Sequence, residues 1–388
     1  MTLALINIGA SHDGSLAGTE LPGDAIICDG GRIVWIGSSS EVCQGDHESI
    51  VDVAGATVVP GLVDSHVHTT FGDYTPRQQT VGFLESYLHG GTTRALSASE
   101  IHVPGRPTDR VGIKALAIAA QRCFEHYRPS GMAVHGGSVI LEPDLTPNDF
   151  RELRDAGVRM AKGGFGAFAT SMDYVPIVQA AKDAGLTVMC HTGGGSIPGS
   201  QTKIGADVLL AMRPNIAGHV NGGPTSLSIE ENALIVEQGR DIALQLVHAG
   251  NLRSAIDIAE RALAQGDLHR ILIATDTPTG TGVIPLGMLR TIAELVSLGP
   301  LTTQQAISAA TGNVTRLYEI DGGELAVGAV ADMLVLDAPL GCVVQTAFAA
   351  LERGDLPAVA CVVTDGVVRL NRSRNTPPPI KPVRSVVL

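Results

Sequence analysis

Cationic charge is scarce in this 388-residue sequence: 27 Lys and Arg stand against 39 Asp and Glu, a formal net charge of -12. No Lys/Arg cluster offsets the deficit, so a phosphate backbone would be repelled and no nucleic-acid partner is expected. Long apolar runs are missing as well. None reaches the roughly 18 residues that a membrane span needs, so no membrane partner is expected either. The six cysteines, at 28, 43, 123, 190, 342 and 361, include no C-x-x-C pair. A disulfide framework is a device of small secreted domains, which this chain does not resemble. The first residues, Met1-Thr-Leu-Ala-Leu-Ile-Asn7, lack the basic start and apolar run of a signal peptide. A reducing cytoplasm is the expected setting. No internal repeat is evident.

What is present suits a well-packed, loop-rich globular protein: 44% hydrophobic residues, 17% charged, 46 Gly and 21 Pro. The two ends read as short strands and turns. Ala25-Ile-Ile-Cys28 and Arg32-Ile-Val-Trp-Ile36 flank Asp29-Gly-Gly31, and 358–364 and 367–370 flank Asp365-Gly366; both are hairpin signals. The segment 331–336 has the same strand character. The middle alternates short apolar strands with helical patterns such as 111–126, 175–184 and 255–265. Candidate strands lie at 62–67, 93–97, 132–139, 158–162, 186–191, 215–220, 241–247 and 271–276. Eight such units over about 250 residues predict an α/β fold, a TIM (β/α)8 barrel. The barrel is expected over 60–320, with a small β-sandwich domain built from 1–59 and 321–388. The proline-rich 374–379 reads as an extended tail that docks on a neighbour.

His66 and His68 sit two apart on the first candidate strand, so both imidazoles face one side. Neutral imidazoles are good metal ligands, but an H-x-H pair alone is a weak signal. Three more residues change its weight. His191, His219 and Asp276 end the fifth, sixth and eighth candidate strands. Catalytic groups of a TIM barrel come from such strand ends. Each has a bland reading singly, a buried histidine or a helix-capping aspartate; five together at matching strand ends do not. His102 and His135 are further strand-end histidines with no assigned role.

This pattern of ligands resembles that of the amidohydrolase superfamily. Val58-Val-Pro-Gly-Leu-Val-Asp-Ser-His-Val-His68 is similar to that family's entry into its barrel. Gly322-Gly-Glu-Leu-Ala-Val-Gly-Ala-Val-Ala-Asp-Met-Leu-Val-Leu336 is similar to its return into the β-sandwich. Within the superfamily, several loops resemble those of the enamidases, which open a small cyclic amide bearing a carboxylate. They include Ser99-Glu-Ile-His-Val-Pro-Gly-Arg-Pro107, His191-Thr-Gly-Gly-Gly-Ser-Ile-Pro-Gly-Ser200 and Asp276-Thr-Pro-Thr-Gly-Thr-Gly282. One position departs. Where that branch carries a metal-bridging glutamate on the fourth strand, this chain has Lys162-Gly-Gly-Phe-Gly166. Other amidohydrolases place a lysine there, carboxylated by carbon dioxide into an anionic bridge. The alternative is a lysine that snorkels to the rim and binds nothing.

The resemblance implies two divalent metal ions. His66, His68 and Asp276 would hold one, His191 and His219 the other, with N-carboxylated Lys162 shared between them. Zinc, iron and manganese all suit imidazole and carboxylate ligands. It further implies hydrolysis of an amide C–N bond in a small cyclic amide by a hydroxide held between the metals, with Asp276 as acid/base, and a homo-oligomer, a tetramer. Arg106 and Thr279 are candidates for binding a substrate carboxylate. Hydantoin or dihydropyrimidine ring opening and dipeptide cleavage are alternatives that use the same ligands. Nucleobase-type deaminases carry a glutamate three residues after the sixth-strand histidine, where this chain has Gly222. A non-catalytic scaffold would have lost ligands that are kept here.

Overall fold

The computed structural model describes residues 2–69, 80–101, 105–195, 200, 202–223, 225–278 and 282–387. Its centre is a run of short parallel strands alternating with helices, except that Ala133–His135 leads directly into Ser138–Ile140. Leu62–Val67, Thr92–Ser97 and Ala133–His135 form one parallel sheet. Ser138–Ile140, Met160–Gly163, Thr187–His191, Ile216–Gly218, Ala243–Val247 and Ile271–Ala274 form another. The two are joined where Asp276 N–H donates to the His66 carbonyl (2.9 Å) and His68 N–H to that of Thr277 (2.9 Å). These strands are buried on both faces, which is why they read as unbroken apolar runs.

The third expected strand, 132–139, is split in two. Gly137 adopts φ 89°, and the buried Glu100 carboxylate accepts the N–H groups of Gly137 (2.6 Å) and Ser138 (2.8 Å). A side chain thus takes ladder bonds that a continuous strand would have used. Helices stand close to their expected places, at Arg110–Glu125, Tyr174–Asp183 and Leu252–Ala264.

Both chain ends build two mixed sheets. One runs Arg384–Val387, Ser49–Asp52, Leu3–Ile6, Ala25–Asp29, Arg32–Gly37; the other runs Val367–Leu370, Ala358–Thr364, Met333–Asp337, Thr57–Pro60, Ala10–Ser11. They share a core in which Leu3, Leu5, Ile26 and Val51 meet Val58, Met333, Val335 and Cys361. Alternate residues of the second sheet, Val59, Leu334 and Leu336, join the core of the helices and parallel strands instead. Period-two alternation therefore anchors one sheet in two cores. The proline-rich tail folds back on its own chain: Asn375 Nδ2 donates to Ser86 O (2.9 Å) and Ser373 Oγ to His89 O (2.7 Å). Among the described residues no helix is long and apolar enough to cross a membrane.

Candidate metal centre

The C-terminal ends of the parallel strands bring five widely spaced residues together. Alternation along Leu62–Val67 sends His66 and His68 to one side, with ring centroids 5.5 Å apart, and both are almost wholly buried. Asp276 Oδ1 lies 3.2 Å from His66 Nε2 and 3.4 Å from His68 Nε2. These three ligand atoms all fall within 4.8 Å of one another, a spacing that can hold a metal ion. His191 and His219 stand beside them, their rings nearly perpendicular with centroids 4.5 Å apart, and the His219 ring is 5.5 Å from that of His66. Asp276 (φ 57°) and His219 (φ 38°) both sit in left-handed backbone, uncommon for residues with a side chain and frequent at functional sites.

Lys162 does not snorkel. Its side chain is 1% exposed and its Nζ is 3.5 Å from His66 Nε2, so the fourth-strand position faces the same cluster. The glycines after it permit this approach. At Gly164 (φ 106°) a Cβ would fall 2.5 Å from the Cβ of His191, closer than any side chain tolerates.

Protonation follows from burial. Desolvation holds His66 and His191 well below the usual imidazole range and takes His219 down to about 4. Burial also brings the Lys162 ammonium down to about 8, against the pull of Asp276. On Asp276 burial acts upward, but His66, the hydrogen bond from His68, and His219 together outweigh it and hold the carboxyl well below the usual carboxylate range. Burial thus favours the neutral form of His66, His191 and His219 beside the Asp276 carboxylate. His66 Nε2 and Asp276 Oδ1 face each other at 3.2 Å, and a cation between them could be held by both. Both ring nitrogens of His191 are also buried without a hydrogen bond of good geometry among the described residues. Donor chemistry and orphaned atoms alike fit divalent ions.

Other expected residues fall differently. Arg106 is 6% exposed in its side chain and is engaged: its guanidinium pairs with Glu142 and donates to the carbonyls of Phe165 (2.7 Å) and Pro107 (2.8 Å). Through Phe165, whose ring meets His191 edge-on at 5.1 Å, it braces the wall of the cluster. His135 is not in the cluster. Burial drives it down to about 3, and it lines a cavity of about 400 Å³ with Met160 and Thr187, at the opposite strand ends. Thr279 and His102 lie outside the described residues.

Two supporting residues escaped the sequence reading. Gln245, wholly buried in Ala243–Val247, places Oε1 2.6 Å from His66 Nδ1. Asp64, also wholly buried, accepts the N–H groups of His66 (3.2 Å) and Thr275 (3.0 Å) and bonds to the Thr275 hydroxyl. A signal for Gln245 existed: it is the one polar residue in an otherwise apolar strand.

The profile of the amidohydrolase family matches residues 57–369. The chain is 42% identical over 373 residues to the enamidase of Eubacterium barkeri, an alignment covering 96% of each. It is 27% identical over 403 residues to an imidazolonepropionase of Mycolicibacterium smegmatis, covering 95% of this chain and 97% of that one. The crystal structure of enamidase, described as a new member of the amidohydrolase superfamily, superposes with a TM-score of 0.93 at 40% identity over the whole of both chains.

Proposed function

The chain belongs to the amidohydrolase family, and from that premise we propose that it is a metal-dependent hydrolase of a C–N bond in a small cyclic amide, as in enamidase. The observation that carries the reading is the convergence of His66, His68 and Asp276 within ligand distance of one another, in a chain so similar to enamidase throughout. We read the two parallel sheets as one (β/α)8 barrel over 60–320, its third strand interrupted at Gly136-Gly137. The flanking sheets, from 1–59 and 321–388, form a β-sandwich domain. The links from His66 and His68 to Asp276 and Thr277, and the core shared by the flanking sheets, support this division.

Two divalent ions, zinc or iron with manganese as an alternative, would be held by His66, His68 and Asp276 on one side and by His191 and His219 on the other. Such ions supply Lewis acidity, polarising an amide carbonyl and acidifying water. The chain's own groups do the rest. Asp276, ionised and beside His66 and His68, takes the proton of the attacking water and returns it to the departing nitrogen. His191 and the Phe165 ring close one wall and limit water.

Lys162 as a carbamate completes the set. A neutral amine adds to carbon dioxide, forming the N–C bond and releasing one proton, and burial favours that amine by lowering the ammonium to about 8. An unmodified ammonium among two dications would be strongly unfavourable, whereas the carbamate is an anion. Protein loaded with zinc in 13C-labelled bicarbonate is expected to hold close to two ions per chain and to show a carbamate carbon signal, lost in Lys162→Ala. One ion or none, or two ions with no such signal, would overturn the binuclear centre or the carbamate respectively.

The test of function is turnover of a panel of lactams, hydantoins and dipeptides by metal-loaded enzyme. Ring opening of lactams is expected to exceed the others, and a preference for dipeptides would displace the cyclic-amide reading. For a carboxylate on the substrate we propose Arg106 and Thr279. Arg106→Met should raise KM for acids about tenfold or more beyond any change for uncharged lactams, the scale of one lost charged contact. Equal effects on both would reduce Arg106 to a brace for the Phe165 loop.

A further inference from the structure

Gln245 lies in the middle of Ala243–Val247, with its side chain on the inward face and Leu244 and Leu246 packed in the outer core. The two ends of a glutamine amide are alike in shape, so their identity must come from their partners. Here the partners decide it. One end meets the backbone N–H of His219 (3.3 Å), which can only donate. The other meets the backbone carbonyl of Ser65 (3.4 Å), which can only accept, and the Ser65 hydroxyl (2.8 Å). The atom facing His219 is therefore oxygen and the atom facing Ser65 is nitrogen.

That same oxygen is 2.6 Å from His66 Nδ1. An amide oxygen only accepts, so His66 must carry its proton on Nδ1. A neutral imidazole so fixed leaves Nε2 with a bare lone pair, and Nε2 is the atom turned toward Asp276 (3.2 Å) and Lys162 Nζ (3.5 Å). We infer that Gln245 is a positioning residue that locks His66 in the Nδ1–H tautomer and so presents Nε2 to a metal, an inference that rests on the metal reading above. Its oxygen also holds the His219 backbone, where φ is 38°. One amide thus ties together three strands and one histidine from each of the two proposed ligand groups. Being neutral, it orients the imidazole without the added negative charge of the more usual carboxylate partner.

The test has two arms. In metal-free protein labelled with 15N-histidine, the His66 signal, assigned by its loss in His66→Asn, should show protonated Nδ1 and bare Nε2. A Nε2–H tautomer would overturn the lock. Zinc affinity is then measured by chelator competition in Gln245→Met, which keeps the length and loses the acceptor, and in Gln245→Glu, which keeps the acceptor. Weakening of about 10–100-fold is expected in the first, with much of the loss restored in the second. A folded Gln245→Met protein, judged by circular dichroism, that binds zinc as tightly as wild type would overturn the proposal. Wild-type protein that takes up no zinc would overturn the metal reading instead, while the tautomer measurement would still uphold or overturn the lock by itself.

Discussion

Asp276→Asn is expected to lower kcat by about 10²–10⁴, the range spanned by loss of a positioned acid/base, while leaving a folded protein. Asparagine keeps the shape of the side chain and an oxygen in the place of Oδ1, so part of the contact with His66 Nε2 (3.2 Å) and His68 Nε2 (3.4 Å) survives. It lacks the charge that balances a cation and the basicity that accepts a proton. The backbone should not object. Residue 276 has φ 57°, and asparagine is among the few residues that enter the left-handed region readily. Steady-state kinetics, zinc content and circular dichroism on one preparation separate the possibilities. A kcat within tenfold of wild type would remove Asp276 from proton transfer.

Arg270→Met is expected to strike stability rather than chemistry, by about 3–5 kcal/mol, the usual result of removing one partner from a buried charged network. The guanidinium is 2% exposed and donates to the carbonyls of Val236 (2.8 Å), Gly239 (2.8 Å), Ile242 (2.9 Å) and Ile235 (3.3 Å), and to Asp267 (3.0 Å). The carbonyls of Ile235, Val236 and Gly239 belong to the C-terminus of the helix Ile229–Gln238, where the negative end of the helix dipole favours a cation, and that of Ile242 to the turn after it. Methionine fills much of the volume but offers no donor. Against a typical total of about 5–15 kcal/mol such a loss is severe. Urea unfolding should show a lower midpoint with little change in slope. A loss below about 1 kcal/mol would mean that water satisfies the freed carbonyls.

The residues that face the centre were largely legible before any coordinates, because strand periodicity says which side chains share a face. His66 and His68 two apart, and Asp276 after an apolar run, carry that information openly. Their supports do not. Periodicity places Gln245 on an inward face but cannot say that its amide crosses to Ser65 and His66, some 180 residues away. The sequence makes Arg106 a candidate for a substrate carboxylate but does not show its partners, Glu142 and the Phe165 carbonyl, which come from other loops. The split at Gly136-Gly137 was hidden for the same reason. The group that interrupts the strand is Glu100, from an earlier crossing of the chain. Lys162 was legible as a position, and its burial came only with the packing around it.

The clamp of Asp64 onto Thr275 joins residues 211 apart in sequence, and this bears on how the protein is made. A ribosome delivers the chain from its N-terminus, so His66 and His68 emerge long before Asp276 and the strand that carries it. The flanking sheets wait longer still, because Ser49–Asp52 pairs with Arg384–Val387 at the far end. Contacts of such long range form late and slowly. The nascent chain therefore holds an unfinished centre through most of synthesis. Any metal ion that His66, His68 and Asp276 together could hold would find the three-residue group complete only after Asp276 has emerged, late in synthesis.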